Sequence, residues 1–533
     1  MTPTVTVVGS GASGVHFALT VLKRGGRVRM LDVGIAGAPQ PLPGVTLNEL
    51  KAQLPDPADY FLGARFQGVF LPGDNDEYYG IPPGKDYIFE SPEGFGHASD
   101  GFAPLFSFAR GGLGEAWTAG CYPFTAAETT AFPFPYPDLG AQYDEIAARV
   151  GITGAEDDLS PYMPVHAHLL PPLRLDAHSA RLLADYQRVR ARLNAGGVFV
   201  GRTRVATLSQ PFRDRQPCTY SGRCLWGCPT GALYTPSRTL RECQSHEGFE
   251  YVPGIEVGHV RLGHGNRVEA IVARRLDTGA EVEFAADRVA LAAGALVSTR
   301  IFLATVQHAG GGRVRLAGLM DNRQLLVPFL NLKMLGQPFD PNTYQYHLLG
   351  MGVAGQSPAD YVHGQITTLK TALVHPVLQR LPFDLATSTA LFRVIHGALG
   401  LVNVNFADTR RSDSYVELTD DVRPRLAICY VPDAGEPQRI ATALSRIKSA
   451  LWALGCVVPP GMAHLRPMGA SVHYAGTVPM TAASGPFTTT PQGESRDVPG
   501  LFLVDGAGFP ALPAKNLTFT LMANAARIAA AAF

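Results

Sequence analysis

The first residues of the chain contain a glycine pattern that strongly restricts the local fold. Residues 5–8 form a short apolar run typical of a buried strand. Gly9, Gly11 and Gly14 follow with the spacing G-x-G-x-x-G, at the start of an amphipathic segment. The first glycine permits a tight turn, the second allows close approach of a pyrophosphate, and the third lets a helix pack on the strand. The pattern therefore predicts a strand, a phosphate-binding turn and a helix.

A second apolar run extends this unit. Residues 28–31 lead to Asp32, whose carboxylate can accept hydrogen bonds from the hydroxyls of a ribose. Free N–H groups at Ala12 and Ser13, in the first turn of the expected helix, would point at the phosphates. The sequence thus predicts a dinucleotide site, and this pattern alone does not separate FAD from NAD.

The size and charge of the chain limit the classes of function. With 533 residues, 46% of them hydrophobic and 17% charged, the chain is expected to form a globular protein of at least two units. The 45 basic residues equal the 45 acidic ones, so no overall field would attract nucleic acid or an anionic membrane surface. Neither partner is expected.

The amino terminus predicts a cytoplasmic location, because Met1 leads into the first apolar run without a basic segment or a cleavage site. The most apolar stretches, residues 289–306 and 517–533, contain Arg300 and Arg527 within less than a membrane span, so neither is expected to cross a bilayer. Seven cysteines, an odd number, favour reduced thiols over a disulfide framework.

Several segments resemble, in order, the motifs of the glucose-methanol-choline (GMC) oxidoreductases. Residues 9–34 resemble the FAD fingerprint of that family, with Asp32 where glutamate is usual. Residues 110–120 resemble the glycine-rich loop that passes over the flavin ring, in the form found in the pyranose-oxidase branch. Residues 289–303 are similar to the internal signature of the family, in which a strand ends at a glycine and a helix follows.

Three further motifs lie near the carboxyl end. His473 begins a segment similar to H-x-x-G-T-x-x-M, residues 501–506 are similar to the V-D-G segment, and Asn516 begins a segment similar to N-P-T in which Leu517 replaces the proline. Ordered motifs at both ends of the chain are more specific than any one of them alone.

The resemblance implies an α/β (α+β) fold with a discontinuous, Rossmann-like FAD-binding domain and a substrate-binding domain built on an antiparallel sheet. The FAD-binding domain is expected to comprise residues 1–125, 195–310 and 463–533, and the substrate-binding domain residues 126–194 and 311–462. Within the second, residues 414–421 and 425–430 resemble a strand pair of the family.

The resemblance also implies which residues contact FAD. They are Gly9, Gly11, Ala12, Ser13, Gly14, Asp32, Gly111, Gly112, Gly114, Trp117, Gly294, Asp505, Gly506, Asn516, Leu517 and Thr518. In the pyranose-oxidase branch the residue before this tryptophan can be a histidine bonded covalently to the flavin, but here it is Ala116. FAD is therefore expected to be held without a covalent bond.

His473 and Asn516 are the expected catalytic residues. A lone histidine in an apolar, small-residue run is more often a core residue, but its spacing from Gly476, Thr477 and Asn516 favours a general base. With an ordinary pKa of ~6.5, a neutral imidazole can accept a hydroxyl proton at physiological pH. Asn516 precedes an apolar helical pattern, so it could cap that helix, hold the substrate oxygen, or do both.

The cysteine cluster Cys218, Cys224 and Cys228 admits a metal-binding interpretation, with Cys243 or His246 as a fourth ligand. Its spacing is C-x5-C-x3-C and lacks a paired C-x2-C, so reduced structural thiols are favoured and no metal is expected.

Patterns in the rest of the chain predict local structure. Helical spacing predicts helices over residues 138–150, 177–193, 440–454 and 517–532, and a turn at residues 277–279 predicts a hairpin. Polar aromatic residues could line a substrate pocket or simply pack in strands; these are Tyr344, Tyr346, His347 and Tyr430.

The expected function is FAD-dependent oxidation of an alcohol group in a sugar-like molecule, an aminoglycoside or another hydroxylated natural product. The electron acceptor stays open between oxygen, a quinone and a protein partner, and so do the substrate and the oligomeric state. Two alternatives remain: a nicotinamide-dependent dehydrogenase, and a flavin-binding protein without catalytic activity.

Overall fold

The computed structural model describes residues 4–69, 81–368, 378, 381–421 and 424–533. Met1, from which the cytoplasmic location is predicted, lies outside these ranges. The strands in chain order are β1 Thr4–Val8, β2 Arg27–Leu31, β3 His97–Asp100, β4 Ile152–Thr153, β5 Leu169–Leu170, β6 Val198–Arg202, β7 Phe249–Val252, β8 Ile255–Leu262, β9 Val268–Arg275, β10 Glu281–Ala285, β11 Val289–Leu291, β12 Arg315–Ala317, β13 Arg323–Asn331, β14 Leu349–Val353, β15 Val362–Thr368, β16 Leu399–Phe406, β17 Tyr415–Leu418, β18 Leu426–Cys429, β19 Cys456–Val457, β20 His464–Leu465 and β21 Leu501–Leu503. The helices are α1 Ala12–Lys23, α2 Leu47–Gln53, α3 Pro57–Leu62, α4 Tyr136–Val150, α5 Ala177–Ala195, α6 Pro236–Gln244, α7 Ala295–His308, α8 Leu385–Ile395, α9 Glu436–Ala453 and α10 Thr518–Ala532.

A five-stranded parallel sheet joins the two ends of the chain. Its order is β21-β11-β1-β2-β7, so the last strand is separated from the first by only one neighbour. Helix α1 packs on this sheet together with α6 and α10, and their apolar side chains form one buried cluster. In open parallel sheets ligands bind outside the carboxyl ends of the strands, which here means beside Val8, Leu31 and Leu291.

The hairpin expected at residues 277–279 is confirmed. Strands β9 and β10 pair antiparallel across that turn, and β8 completes a three-stranded sheet on the other side of β9. The four predicted helices are also confirmed, as α4, α5, α9 and α10, each within a few residues of its expected limits.

A seven-stranded antiparallel sheet is the second large element. Its order is β19-β13-β16-β15-β14-β6, with β20 also paired to β13. One face packs against α5 and α9 through buried side chains that include Val327, Val402 and Val404. Because side chains alternate along a strand, Gln365 and Asn403 lie on the opposite face. This sheet therefore has an apolar face and a polar face.

The predicted strand pair in residues 414–430 is confirmed as β17 and β18, which pair antiparallel in a four-stranded sheet of order β12-β17-β18-β3. Three of the described strands join sheets across the predicted domain division. Strand β20 lies within residues 463–533 but pairs with β13 of the seven-stranded sheet. Strand β3 lies within residues 1–125 but pairs with β18, and β6 lies within residues 195–310 but is the edge strand of the seven-stranded sheet. The assignment of the other segments to two domains stays a prediction.

The mixed α/β character of the fold is confirmed. Among the residues that the structure describes, no helix combines the length and the apolar character needed to cross a bilayer.

Candidate active site

A cavity of about 390 Å³ lies between the carboxyl ends of the parallel strands and the polar face of the seven-stranded sheet. Segments that are far apart in sequence form its wall. Most of the residues predicted to bind FAD or to act in catalysis line it: Gly9, Gly11, Ala12, Ser13, Asp32, Gly112, Gly114, Trp117, Gly294, His473, Asp505, Gly506, Asn516, Leu517 and Thr518.

Two predicted residues, Gly14 and Gly111, are not part of the cavity wall. A Cβ at Gly14 would lie 2.1 Å from the carbonyl oxygen of Gly9, so this glycine allows α1 to pack against the end of β1. Gly111 has a positive φ of 93° and its N–H donates to Ser10 Oγ at 2.9 Å. Gly14 and Gly111 therefore affect the shape of the cavity wall without being part of it.

The turn between β1 and α1 has the properties of a phosphate site. A Cβ at Gly11 would meet only the carbonyl oxygen of Ala292, at 4.0 Å, so the space above this glycine is open to the cavity. Gly11 caps α1 without a side-chain hydrogen bond, and the first turn of the helix contains no acidic residue. The free N–H groups there suit an anion such as a pyrophosphate.

Asp32 is held at the end of β2 by two hydroxyl groups. Its Oδ2 accepts hydrogen bonds from Ser10 Oγ and, at 2.9 Å, from Tyr251 Oη. Burial raises the pKa of Asp32 to about 6, although the hydrogen bonds from Ser10 and Tyr251 oppose this shift. At neutral pH the group is a buried carboxylate on the cavity wall, which suits a hydrogen-bond donor such as a ribose hydroxyl.

The glycine-rich loop lies directly over this turn. A Cβ at Gly112 would be 3.4 Å from the Cα of Gly11. Trp117 is fixed by a hydrogen bond from its indole Nε1 to the carbonyl oxygen of Tyr234, at 2.7 Å. Ala116 lines the cavity and offers only a methyl group.

Asp505 connects the last parallel strand to the start of α7. Its carboxylate accepts hydrogen bonds from Ser298 Oγ at 2.5 Å, from the N–H of Ala507 at 3.0 Å and from the N–H of Gly294. Burial raises the pKa of Asp505 to about 6 against the effect of these donors. The donor set, the open glycine turn and the buried Asp32 together fit a dinucleotide such as FAD.

The tautomer of His473 is determined by its neighbour Asn322. The Nδ2 group of Asn322 donates to the carbonyl oxygens of Phe406 and Pro513, at 2.8 and 3.0 Å. Its Oδ1 must therefore accept from His473 Nδ1, 2.9 Å away. Since Nδ1 carries the proton, Nε2 of the neutral ring has the free lone pair. His473 lines the cavity, so this nitrogen is the available base.

The imidazole of His473 is less basic than an ordinary histidine. Burial lowers its pKa to about 4, and the positive charge of Arg466 contributes to the shift. The ordinary value of ~6.5 expected from the sequence is therefore too high. The neutral form, which can accept a proton, persists well below physiological pH.

The loop that carries His473 is tied to a buried carboxylate. Asp321 accepts hydrogen bonds from the N–H of Gly469 at 2.7 Å, from the N–H of His473 at 3.1 Å and from Ser471 Oγ. Val472, beside the histidine, has a φ of 58°, which is costly for a β-branched residue. Asp321 and its donors hold this strained segment, so the position of His473 is well determined.

Asn516 does not cap the following helix, and this interpretation of it was wrong. The cap of α10 is Leu517, without any side-chain hydrogen bond. Asn516 Oδ1 instead accepts from Gln365 Nε2 at 2.6 Å and from Asn405 Nδ2 at 3.3 Å. The polar face of the sheet thus takes the amide oxygen and leaves the Nδ2 donor of Asn516 for the cavity.

The residue before Asn516 anchors it further. Lys515 is completely buried, and its Nζ donates to Glu128 Oε2 at 2.5 Å, to the carbonyl oxygen of Pro123 at 3.0 Å and to that of Tyr162. Burial lowers the pKa of Lys515, and Glu128 opposes this shift.

The polar residues of the wall that were not anticipated from the sequence include Gln324, Gln365, Asn403 and Arg466. The first three lie on adjacent strands of the seven-stranded sheet. A signal for one of them exists, since residues 402–406 alternate between apolar side chains and asparagine, as expected for a strand with one polar face. Nothing in that pattern shows that the polar face meets a cavity.

The pocket candidates considered in the sequence do not line the cavity; these are Tyr344, Tyr346, His347 and Tyr430. Tyr346 Oη donates to the carbonyl oxygen of Cys224 at 3.2 Å, and Tyr430 Oη donates to Asp408 at 2.8 Å. They serve the packing of the protein.

No cysteine in the described part of the chain forms a disulfide bond, and no group of three or more potential metal ligands is present there. Cys218 and Cys228 accept hydrogen bonds from the backbone N–H groups of Tyr220 and Leu233, both at 3.4 Å. These contacts stabilise local turns.

Comparison with known proteins gives consistent results. A family model described as GMC oxidoreductase matches residues 411–525. The C-glycoside 3-oxidase of Microbacterium trichothecenolyticum is 24% identical over 559 aligned positions, which cover 98% of this chain and 95% of that protein. A crystal structure of pyridoxine 4-oxidase from Mesorbium loti superposes with a TM-score of 0.61 at 15% identity, covering 99% of both chains. An FAD-dependent oxidoreductase from Chaetomium thermophilum superposes with a TM-score of 0.58 at 12% identity, covering 99% of this chain and 98% of that one.

Proposed function

We propose, from the premise that this chain belongs to the GMC oxidoreductase family, that it oxidises an alcohol group of a sugar-like molecule with the help of non-covalently bound FAD. The chain is an FAD-dependent alcohol oxidoreductase. The proposal concerns the substrate class, the mode of FAD binding and the residues that act. The observation that carries it is the pairing of a base, His473 Nε2, with a donor, Asn516 Nδ2, on the wall of one cavity.

The residues that would hold FAD are those of the Rossmann-like unit. Backbone N–H groups at Gly11 and Ala12 would bind the pyrophosphate, Asp32 the ribose, and the loop around Trp117 would cover the ring system. Bound FAD supplies the acceptor for the hydride that an alcohol carbon loses on oxidation. Ala116 offers no nucleophile, which supports a non-covalent mode.

The protein would supply a base, a donor and a shaped cavity. His473 Nε2 would accept the proton of the substrate hydroxyl, and Asn516 Nδ2 would donate a hydrogen bond to the same oxygen. Hydrogen bonds orient both groups. Asn322 orients His473, and Gln365 and Asn405 orient Asn516. This arrangement would reduce the entropy lost when substrate, base and donor come together.

The sugar-like substrate class rests on the polar wall and on a relative. Gln324, Gln365 and Asn403 present amide groups to the cavity, and amides can both donate to and accept from hydroxyl groups. The relative with 24% identity is named a C-glycoside 3-oxidase, and a glycoside is a sugar derivative. Oxygen is the first electron acceptor to test, because that relative and the pyridoxine enzyme are both called oxidases.

Anaerobic mixing of the purified protein with separate polyols, sugars and aminoglycosides tests the proposal. The visible absorbance of the bound FAD should disappear with at least one alcohol and return when oxygen is admitted. A colourless protein would contradict FAD binding and would favour a nicotinamide-dependent enzyme. A yellow protein that no alcohol bleaches would contradict alcohol oxidation and would favour a flavin-binding protein without catalytic activity.

A further inference from the structure

One residue of the cavity wall has an unsatisfied hydrogen-bond acceptor. Asn403 Oδ1 is buried and accepts no hydrogen bond from any described residue. Among the residues that line the cavity, and within the described ranges, it is the only one with such a buried side-chain atom. A buried polar atom without a hydrogen-bond partner typically costs ~1–3 kcal/mol of free energy. A bound molecule that donates a hydrogen bond to this oxygen would remove that cost.

The position of Asn403 is fixed relative to the catalytic pair. Asn403 on β16 is directly opposite Gln365 on β15, and Gln365 Nε2 donates to Asn516 Oδ1 at 2.6 Å. Neighbouring strands are ~4.8 Å apart, so the backbone of Asn403 lies about one strand spacing from that of Gln365, the residue that orients Asn516. Two hydroxyl groups on adjacent carbons can bridge such a distance when the amide side chains point into the same cavity.

We propose that Asn403 accepts a hydrogen bond from a hydroxyl group adjacent to the one that is oxidised, so that the preferred substrate is a vicinal diol unit. The inference rests on the proposed alcohol oxidation and specifies its substrate. The hydroxyl to be oxidised contacts His473 Nε2 and Asn516 Nδ2, while its neighbour donates to Asn403 Oδ1. An alcohol without that neighbour leaves the asparagine oxygen unpaired.

The test compares three small alcohols: trans-1,2-cyclohexanediol, cyclohexanol and trans-2-methoxycyclohexanol. Anaerobic stopped-flow measurement of flavin reduction gives the specificity for each. The diol should be favoured over cyclohexanol by about 10–100-fold, the typical cost of an unpaired buried polar group. The diol has two equivalent hydroxyl groups that can be oxidised, and this statistical effect alone would give a preference of only about twofold. The methyl ether retains the second oxygen but cannot donate from it, so it should react like cyclohexanol.

Variants of the same strand isolate the role of the side chain. Asn403→Leu should reduce the preference for the diol to about twofold, and Asn403→Asp, which retains an acceptor, should preserve it. Leu401→Ala serves as the control, because Leu401 lies on the same face of β16, two residues earlier, and does not line the cavity. Flavin content and thermal unfolding verify that each variant is folded.

The possible results differ in what they overturn. Equal reduction by the diol and cyclohexanol in the unmodified protein would overturn the diol inference and leave alcohol oxidation intact. Equal reduction by trans-2-methoxycyclohexanol and the diol would also overturn the diol inference, because the ether oxygen has no hydrogen to donate to Asn403. If none of the three alcohols reduces the flavin, the diol inference fails, and the wider alcohol panel decides the proposed function separately.

Discussion

A neutral amide holds His473, the proposed base of this site, and a carboxylate in its place would raise the pKa of the imidazole. Asn322 orients the imidazole of His473 through Nδ1 without adding a charge, so burial and Arg466 keep the pKa low. The imidazole of His473 is then neutral at pH values well above about 4. A histidine with such a low pKa is a weaker base and accepts a hydroxyl proton less readily. Precise positioning of the substrate against His473 would have to offset this loss.

Replacement of His473 by alanine should slow flavin reduction by ~10²–10⁴. FAD should remain bound, because the residues proposed to hold its pyrophosphate and ribose lie elsewhere on the wall. Stopped-flow reduction with the best alcohol of the panel measures the effect. His264→Ala is a matched control, since that histidine is exposed at a turn outside the cavity. Near-normal reduction in His473→Ala would show that another group is the base.

Replacement of Asn322 by aspartate should move the acid limb of the pH profile. In the unmodified protein the base is lost only as the pH falls towards the His473 pKa of about 4, so reduction should be constant from pH ~6 upward. A carboxylate next to Nδ1 stabilises the imidazolium and raises its pKa, so the variant should lose activity at higher pH than the parent. Identical limbs in both proteins would mean that Asn322 is only structural. Thermal unfolding of the variant checks that loss of the contacts to Phe406 and Pro513 has not unfolded it.

The glycine turn shows how one element combines packing and binding. Gly9 and Gly14 face the backbone of their neighbours, where a Cβ would approach within 2.7 and 2.1 Å of a carbonyl oxygen. Gly11 instead faces open space. A side chain at Gly11 would thus compete with a ligand, while side chains at the other two would compete with the fold.

Gly11→Val should therefore give folded protein that is purified without FAD. Its backbone φ of −66° suits a branched residue, and the added methyl groups would occupy the path of the pyrophosphate. Visible absorbance and circular dichroism measure the two properties separately. Gly14→Ala is the matched comparison and should fail to yield soluble protein. Normal flavin content in Gly11→Val would mean that the turn does not bind phosphate.

Local motifs explain what could be predicted from the sequence. The strand-turn-helix at Gly9, the helices and the hairpin depend on residues close in sequence, and the proposed catalytic pair lies in motifs with a fixed order. Asn403 and Gln365 were missed because their role depends on which strands pair and which face meets the parallel sheet. The low pKa of His473 was missed for the same reason, since burial is a property of the assembled site.

At the scale of the whole molecule, Cys121 and His97, the cysteine and the histidine nearest in sequence to the glycine-rich loop, do not line the cavity. Cys121 is completely buried and does not line the cavity, and burial raises the pKa of its thiol. His97 lies on the exposed strand β3, which also does not reach the cavity wall. Acid precipitation should therefore release all yellow colour into the supernatant as intact FAD. Colour in the pellet, or a denatured protein heavier by one FAD, would contradict non-covalent binding.

The order of the parallel sheet bears on how the chain is made on the ribosome. Strand β1 leaves the exit tunnel first, but its neighbour β11 pairs in turn with β21, and α1 packs against α10. The unit built on the five-stranded parallel sheet thus cannot be completed until residues 501–532 have been synthesised. Throughout translation the nascent amino-terminal unit has an unpaired edge and an uncovered apolar helix face, both of which favour association with chaperones. Ribosome-bound chains stalled before residue 500 should accordingly be protease-sensitive in β1 and α1, and full-length chains should not.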